Sequence, residues 1–130
     1  MASSPKVLLV DDEREFLDIM SRYFTRRNID FAVADGCLQA LDQLDSGSFD
    51  VVVMDVSMPG LDGMECMEEI KKLYPAVEVI ILTGHAAPHT SLVGMKKGAF
   101  DYCLKPIDFA ELHEKIQLAR KAIEEKKPKA

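Results

Sequence analysis

The sequence is short of most of the features that would point to a membrane, a disulfide scaffold or a nucleic acid. No apolar stretch reaches the ~18 residues that a bilayer-crossing helix needs, and MASSPK at the start lacks the apolar core of a secretory signal. A cytoplasmic protein is therefore expected. Cysteine is scarce: Cys37, Cys66 and Cys103 are odd in number, widely spaced and form no CxxC pair, which argues against a disulfide framework or a zinc site. The expectation is three reduced, buried thiols. Lys and Arg nowhere cluster into a basic stripe, and a formal net charge of −6 opposes direct nucleic-acid binding.

What is present fits one globular domain. The chain has 130 residues, 48% of them hydrophobic and 29% charged, the size and balance of a single core. We read residues 1–130 as one domain with its core at about 6–126 and a polar tail from 124 that frays.

Apolar, β-prone runs alternate with amphipathic segments. KVLLV (6–10), DFAVA (30–34), VVVM (51–54), EVIIL (78–82) and AFDYCL (99–104) read as strands. Continuous apolar runs such as 51–54 suit strands buried on both faces of a parallel sheet. Between them, Phe16, Leu17, Met20 and Phe24 recur at helical spacing, as do Leu38, Leu41 and Leu44, then Met64, Met67 and Ile70. A short helix closes at Gly98, and Asp108 is placed to cap a last helix carrying Phe109, Leu112, Ile116, Ala119 and Ile123. Gly47 is expected to end the second helix as a left-handed cap. Five strands alternating with five helices give an α/β fold with right-handed crossovers. The pattern does not fix strand order; 2-1-3-4-5 is one doubly wound solution, and it would set the first and third strands side by side.

In that order the carboxyl ends of the strands gather Asp11 and Asp12, Asp55, Thr83 and Lys105. Crowded carboxylates either hold a raised pKa or take up a cation. An all-oxygen donor set suits Mg²⁺, with Mn²⁺ as the alternative. Asp55 stands alone at its strand end as a nucleophile toward phosphorus, while Lys105 and the Thr83 hydroxyl can bind phosphoryl oxygens.

These residues resemble the receiver domain of bacterial two-component response regulators. The likeness rests on four features: Asp11 and Asp12 after KVLLV, the D-x-x-M-P-G-x-D-G-M run from Asp55 to Met64, LTGH around Thr83, and Lys105 before Pro106. It implies a flavodoxin-like, three-layer α/β/α fold with strand order 2-1-3-4-5. It implies that Asp55 accepts a phosphoryl group from a histidine kinase or phosphotransfer protein, the domain catalysing its own phosphorylation and dephosphorylation without being an enzyme in the ordinary sense. Mg²⁺ would be held by Asp12 and Asp55 directly, by Asp11 through water and by the backbone carbonyl of Ser57. Thr83 and Tyr102 would form a switch pair, and the bond to Pro106 would be cis. The resemblance further implies a downstream effector or fused output domain as partner, and a phosphorylation-dependent dimer as one form of response. The chain would be a stand-alone receiver or the N-terminal part of a longer regulator. Ser57 and His85 occupy positions that control access of hydrolytic water. Flavodoxin-like electron carriers are disfavoured by the acidic first loop, and haloacid-dehalogenase-type phosphatases by Ser57 where they need a second aspartate; a partner-binding receiver without phosphorylation is the third alternative.

Overall fold

The computed structural model describes residues 6–56, 63–84 and 93–126. Its elements run β1 Lys6–Val10, α1 Arg14–Arg26, β2 Asp30–Ala34, α2 Cys37–Ser46, β3 Val51–Asp55, α3 Gly63–Leu73, β4 Glu78–Thr83, β5 Asp101–Leu104 and α4 Phe109–Lys126. A helical turn also lies at 93–96. The five strands form one parallel sheet in the order β2-β1-β3-β4-β5. Alternation along the strands splits the core into two layers. Val7, Leu9, Val51, Val53, Ile80 and Leu82 pack beneath α1 and α4, whereas Leu8, Val10, Val52, Met54, Val79 and Ile81 pack beneath α2 and α3. β3 and β4 are buried along their whole length because helices cover both sides.

The helix ends show where local chemistry decides. The Asp108 carboxylate accepts from the N–H groups of Ala110 (3.0 Å) and Glu111 (3.2 Å), which caps α4. Gly47, expected in the left-handed region, is extended instead, with φ −138° and ψ 174°. Freedom to adopt positive φ does not oblige a glycine to use it; after α1 that conformation falls to Asn28, at φ 57°. α4 continues through the polar residues 124–126, where fraying was expected, and the Lys126 ammonium lies 3.1 Å from buried Glu78 at the foot of β4. Lys71 approaches the same carboxylate at 3.3 Å.

The cysteines depart from expectation. Cys37 and Cys66 form a disulfide between α2 and α3, and only Cys103 is a free, buried thiol. Composition and spacing hid this pair because the two residues are 29 apart in sequence and meet only when α2 packs beside α3.

Candidate functional site at the carboxyl edge of the sheet

Adjacency of β1 and β3 brings two acidic strand ends together. Asp11 follows β1 and Asp55 ends β3; Val10 and Met54 are register partners just beneath them. Asp11 is fully buried and Asp55 is 4% exposed, whereas Asp12 faces solvent. One carboxylate oxygen from each of the three lies within 4.8 Å of the others. The backbone fixes these ends: the N–H of Asp11 donates to the Ala34 carbonyl at 3.1 Å, and the N–H of Val56, next to Asp55, donates to the Leu82 carbonyl at 3.1 Å.

Lys105 arrives from the end of β5, its N–H donating to the Thr83 carbonyl at 2.8 Å. Its ammonium donates to Asp55 Oδ2 (2.9 Å), Asp11 Oδ2 (3.0 Å) and Glu13 Oε1 (3.1 Å). The Phe16 ring lies beneath it, 4.4 Å from Nζ to centroid. Burial alone would lower the Lys105 pKa, but the hydrogen bonds it donates to Asp55, Asp11 and Glu13 outweigh it and hold the amine protonated well above its usual range. Asp11 is pushed up from its ordinary value, chiefly by burial; the Glu13 N–H at 2.9 Å and Lys105 oppose that rise. The Lys105–Pro106 peptide is cis, as the resemblance implied.

Asp11, Asp12, Glu13 and Asp55 thus share a corner with one ammonium at its centre. Such an excess of carboxylate favours uptake of a hard cation, and the oxygen-only donors fit Mg²⁺ or Mn²⁺ in kind. Thr83, 2% exposed, ends β4 beside β5. It lies two residues beyond Ile81, so it shares the α2/α3 face of the sheet with Tyr102, which packs half-buried against that layer. Lys115 of α4 donates to the Tyr102 carbonyl, and its ammonium lies 5.3 Å from the ring centroid.

The structure therefore brings Asp11, Asp12, Asp55 and Lys105 together and sets Thr83 and Tyr102 on neighbouring strands. Ser57 and His85 lie outside the described residues. Sequence reading had given Glu13, Phe16 and Lys115 no part in the site. Glu13 was legible as the third member of an acidic run, but Phe16 read only as a core-facing helical residue and Lys115 carried no signal.

Comparison with known proteins agrees with this geometry. The family model described as "Response regulator receiver domain" matches residues 7–117. The chain is 35% identical over 113 residues to the transcriptional regulatory protein ZraR of Escherichia coli K12, covering 87% of this chain and 26% of that protein; it thus spans about a quarter of such relatives. Among solved structures, the receiver domain of the Francisella response regulator 1452 superposes with a TM-score of 0.85 at 31% identity, covering 92% of this chain and 98% of that one. The beryllofluoride-activated NtrC4 receiver domain dimer gives 0.84 at 30% identity, covering 91% and 98%.

Proposed function

The chain belongs to the response regulator receiver domain family, and from that premise we propose that it is a phosphoacceptor whose reactive group is Asp55. The observation that carries this reading is the hydrogen bond from Lys105 to Asp55, 2.9 Å, inside a buried carboxylate cluster at the strand ends. An Asp55 carboxylate oxygen attacks the phosphorus of a phosphohistidine; the P–N bond breaks, the imidazole keeps the electron pair and takes a proton, and an acyl phosphate remains on Asp55. Lys105 follows the charge onto a phosphoryl oxygen, and the Thr83 hydroxyl donates to another. Asp12 and Asp55 would hold a Mg²⁺ ion, with Asp11 acting through water and Ser57 through its carbonyl, and the ion would supply charge neutralisation. Hydrolysis of the acyl phosphate resets the domain at the same site.

The conformational response runs through Thr83 and Tyr102. Moving the hydroxyl toward a phosphoryl group vacates space on the α2/α3 face of the sheet, into which the ring can turn. Its partners are a histidine kinase or phosphotransfer protein upstream and an effector or fused output domain downstream, in the cytoplasm. That ZraR is a transcriptional regulatory protein supports the output, and the beryllofluoride-activated NtrC4 receiver dimer supports a phosphorylation-dependent dimer as one form of response. In this reading the single domain at 1–130 is the receiving part of that arrangement.

The test is incubation with acetyl phosphate and Mg²⁺. Wild type is expected to gain one base-labile phosphoryl group and Asp55→Asn none. Equal incorporation by the variant, or undiminished incorporation in excess chelator, would overturn the assignment.

A further inference from the structure

The Cys37–Cys66 disulfide lies at the same edge of the sheet as Asp55. Cys37 opens α2, three residues past the end of β2, and Cys66 lies in the opening of α3. That opening is also pressed against the reactive strand. The Gly63 backbone approaches Val56 so closely that an added Cβ would lie 2.4 Å from the Val56 Cα, and Val56 is the residue after Asp55. The start of α3 is therefore braced twice, by backbone contact to the Asp55 strand end and by a covalent bond to α2.

We propose that Cys37 and Cys66 form a thiol–disulfide exchange site for small dithiols, and that its redox state sets how firmly α3 holds the Asp55 strand end and hence how fast Asp55 takes a phosphoryl group. The proposal rests on the reading of Asp55 as the phosphoacceptor. Structural disulfides are rare where glutathione keeps thiols reduced, and those that occur there tend to be regulatory. Exchange needs a reachable sulfur. Cys37 is the more accessible, 6% exposed against 2% for Cys66, and an added Cβ at neighbouring Gly36 would meet nothing within 4 Å.

A thiolate of the dithiol attacks Cys37 Sγ, the S–S bond breaks, and Cys66 leaves as a thiolate within the first turns of a helix, where backbone N–H groups favour negative charge. The second thiol of the reagent then displaces Cys37. Two electrons pass to the protein, Cys37 and Cys66 take up protons, and the reagent becomes a cyclic disulfide. A small-molecule disulfide such as oxidised glutathione reverses the sequence. Cys103 takes no part: it is buried in the opposite layer, among residues that pack beneath α1 and α4.

The experiment uses the full chain, oxidised and then treated with dithiothreitol. Alkylation after denaturation is expected to count one thiol in the oxidised protein and three in the reduced. Reduction is expected to speed amide exchange at Gly63–Met67 and to slow phosphorylation by acetyl phosphate at least threefold, since small displacements of a reacting group carry large rate penalties. Cys103→Ala should respond as wild type does, whereas Cys37→Ala/Cys66→Ala should be insensitive to the reagent. Three thiols after treatment with oxidised glutathione would overturn the proposal, as would unchanged exchange and rate on reduction of wild type. If the oxidised protein takes no phosphoryl group, the phosphoacceptor reading fails, while exchange at Gly63–Met67 still reports the redox site.

Discussion

Lys105 and Asp11 form an ion pair at 3.0 Å in which the aspartate side chain is wholly buried and the lysine side chain is 17% exposed. The same ammonium serves Asp55 at 2.9 Å, so one cation offsets two buried acids. Lys105→Met leaves both facing each other. The expected loss is about 2–3 kcal/mol, set below the ~3–5 kcal/mol of a fully buried pair because solvent reaches the site. Millimolar Mg²⁺ should recover most of it, because the variant retains the three carboxylates and has lost the competing charge. Denaturant midpoints with and without Mg²⁺ check this; a variant as stable as wild type without the ion would contradict it.

Two glycines that look alike in sequence should behave differently. A Cβ on Gly63 would meet backbone, the Val56 Cα at 2.4 Å, whereas one on Gly94 would meet the tip of a side chain, Ile81 Cδ1 at the same distance. Backbone cannot step aside as a methyl can. Gly63→Ala is expected to cost about 2–3 kcal/mol and Gly94→Ala about 1 kcal/mol or less, since helix propensity returns part of the clash. Urea unfolding of the two variants measures the contrast, and equal costs would refute it.

Thr83→Ala should uncouple Tyr102 from the site. With beryllofluoride as a mimic of the phosphoryl group, wild type is expected to show NMR shift changes at the Tyr102 ring and at Lys115, whose ammonium lies near that ring. The ring's rotation gives up a cation–π contact of about 0.5–1 kcal/mol, which a charge-assisted hydrogen bond from the Thr83 hydroxyl to the phosphoryl group or its mimic can offset. The variant should bind the mimic yet lose most of the Tyr102 response. An intact response would sink the coupling.

Cys103 offers a pH readout. Burial pushes its thiol up to about 11, so at pH 8 its thiolate fraction falls below that of an ordinary cysteine by about two orders of magnitude. Alkylation of the native protein by iodoacetamide at pH 8 should be slowed by at least that factor. Because the folded state holds this proton more tightly, the associated stability is full below the unfolded pKa and is lost as pH rises toward 11. A labelling rate like that of free cysteine would contradict the assignment.

Much of this was legible because the sheet is buried on both faces. Runs such as Val51–Met54 admit few roles, and acids at the ends of two such runs converge once β1 and β3 are neighbours. Strand order came from the resemblance, since periodicity does not say which strands pair. The disulfide was illegible for a related reason: three cysteines permit three pairings, and only the packing of α2 on α3 selects one. The persistence of α4 to Lys126 had no apolar signal either, because its last turn is tied down by charge, the Lys126 ammonium meeting Glu78.

That last ion pair fixes where α4 runs out relative to the site. Glu78 and Thr83 are the two ends of one six-residue strand, about 17 Å apart at ~3.3 Å per residue. The described end of α4 therefore lies at the pole opposite the carboxylate cluster, with the length of β4 between them. The two poles mirror one another in charge: at one, a lysine is ringed by acids, and at the other a single buried carboxylate is gripped by two lysines.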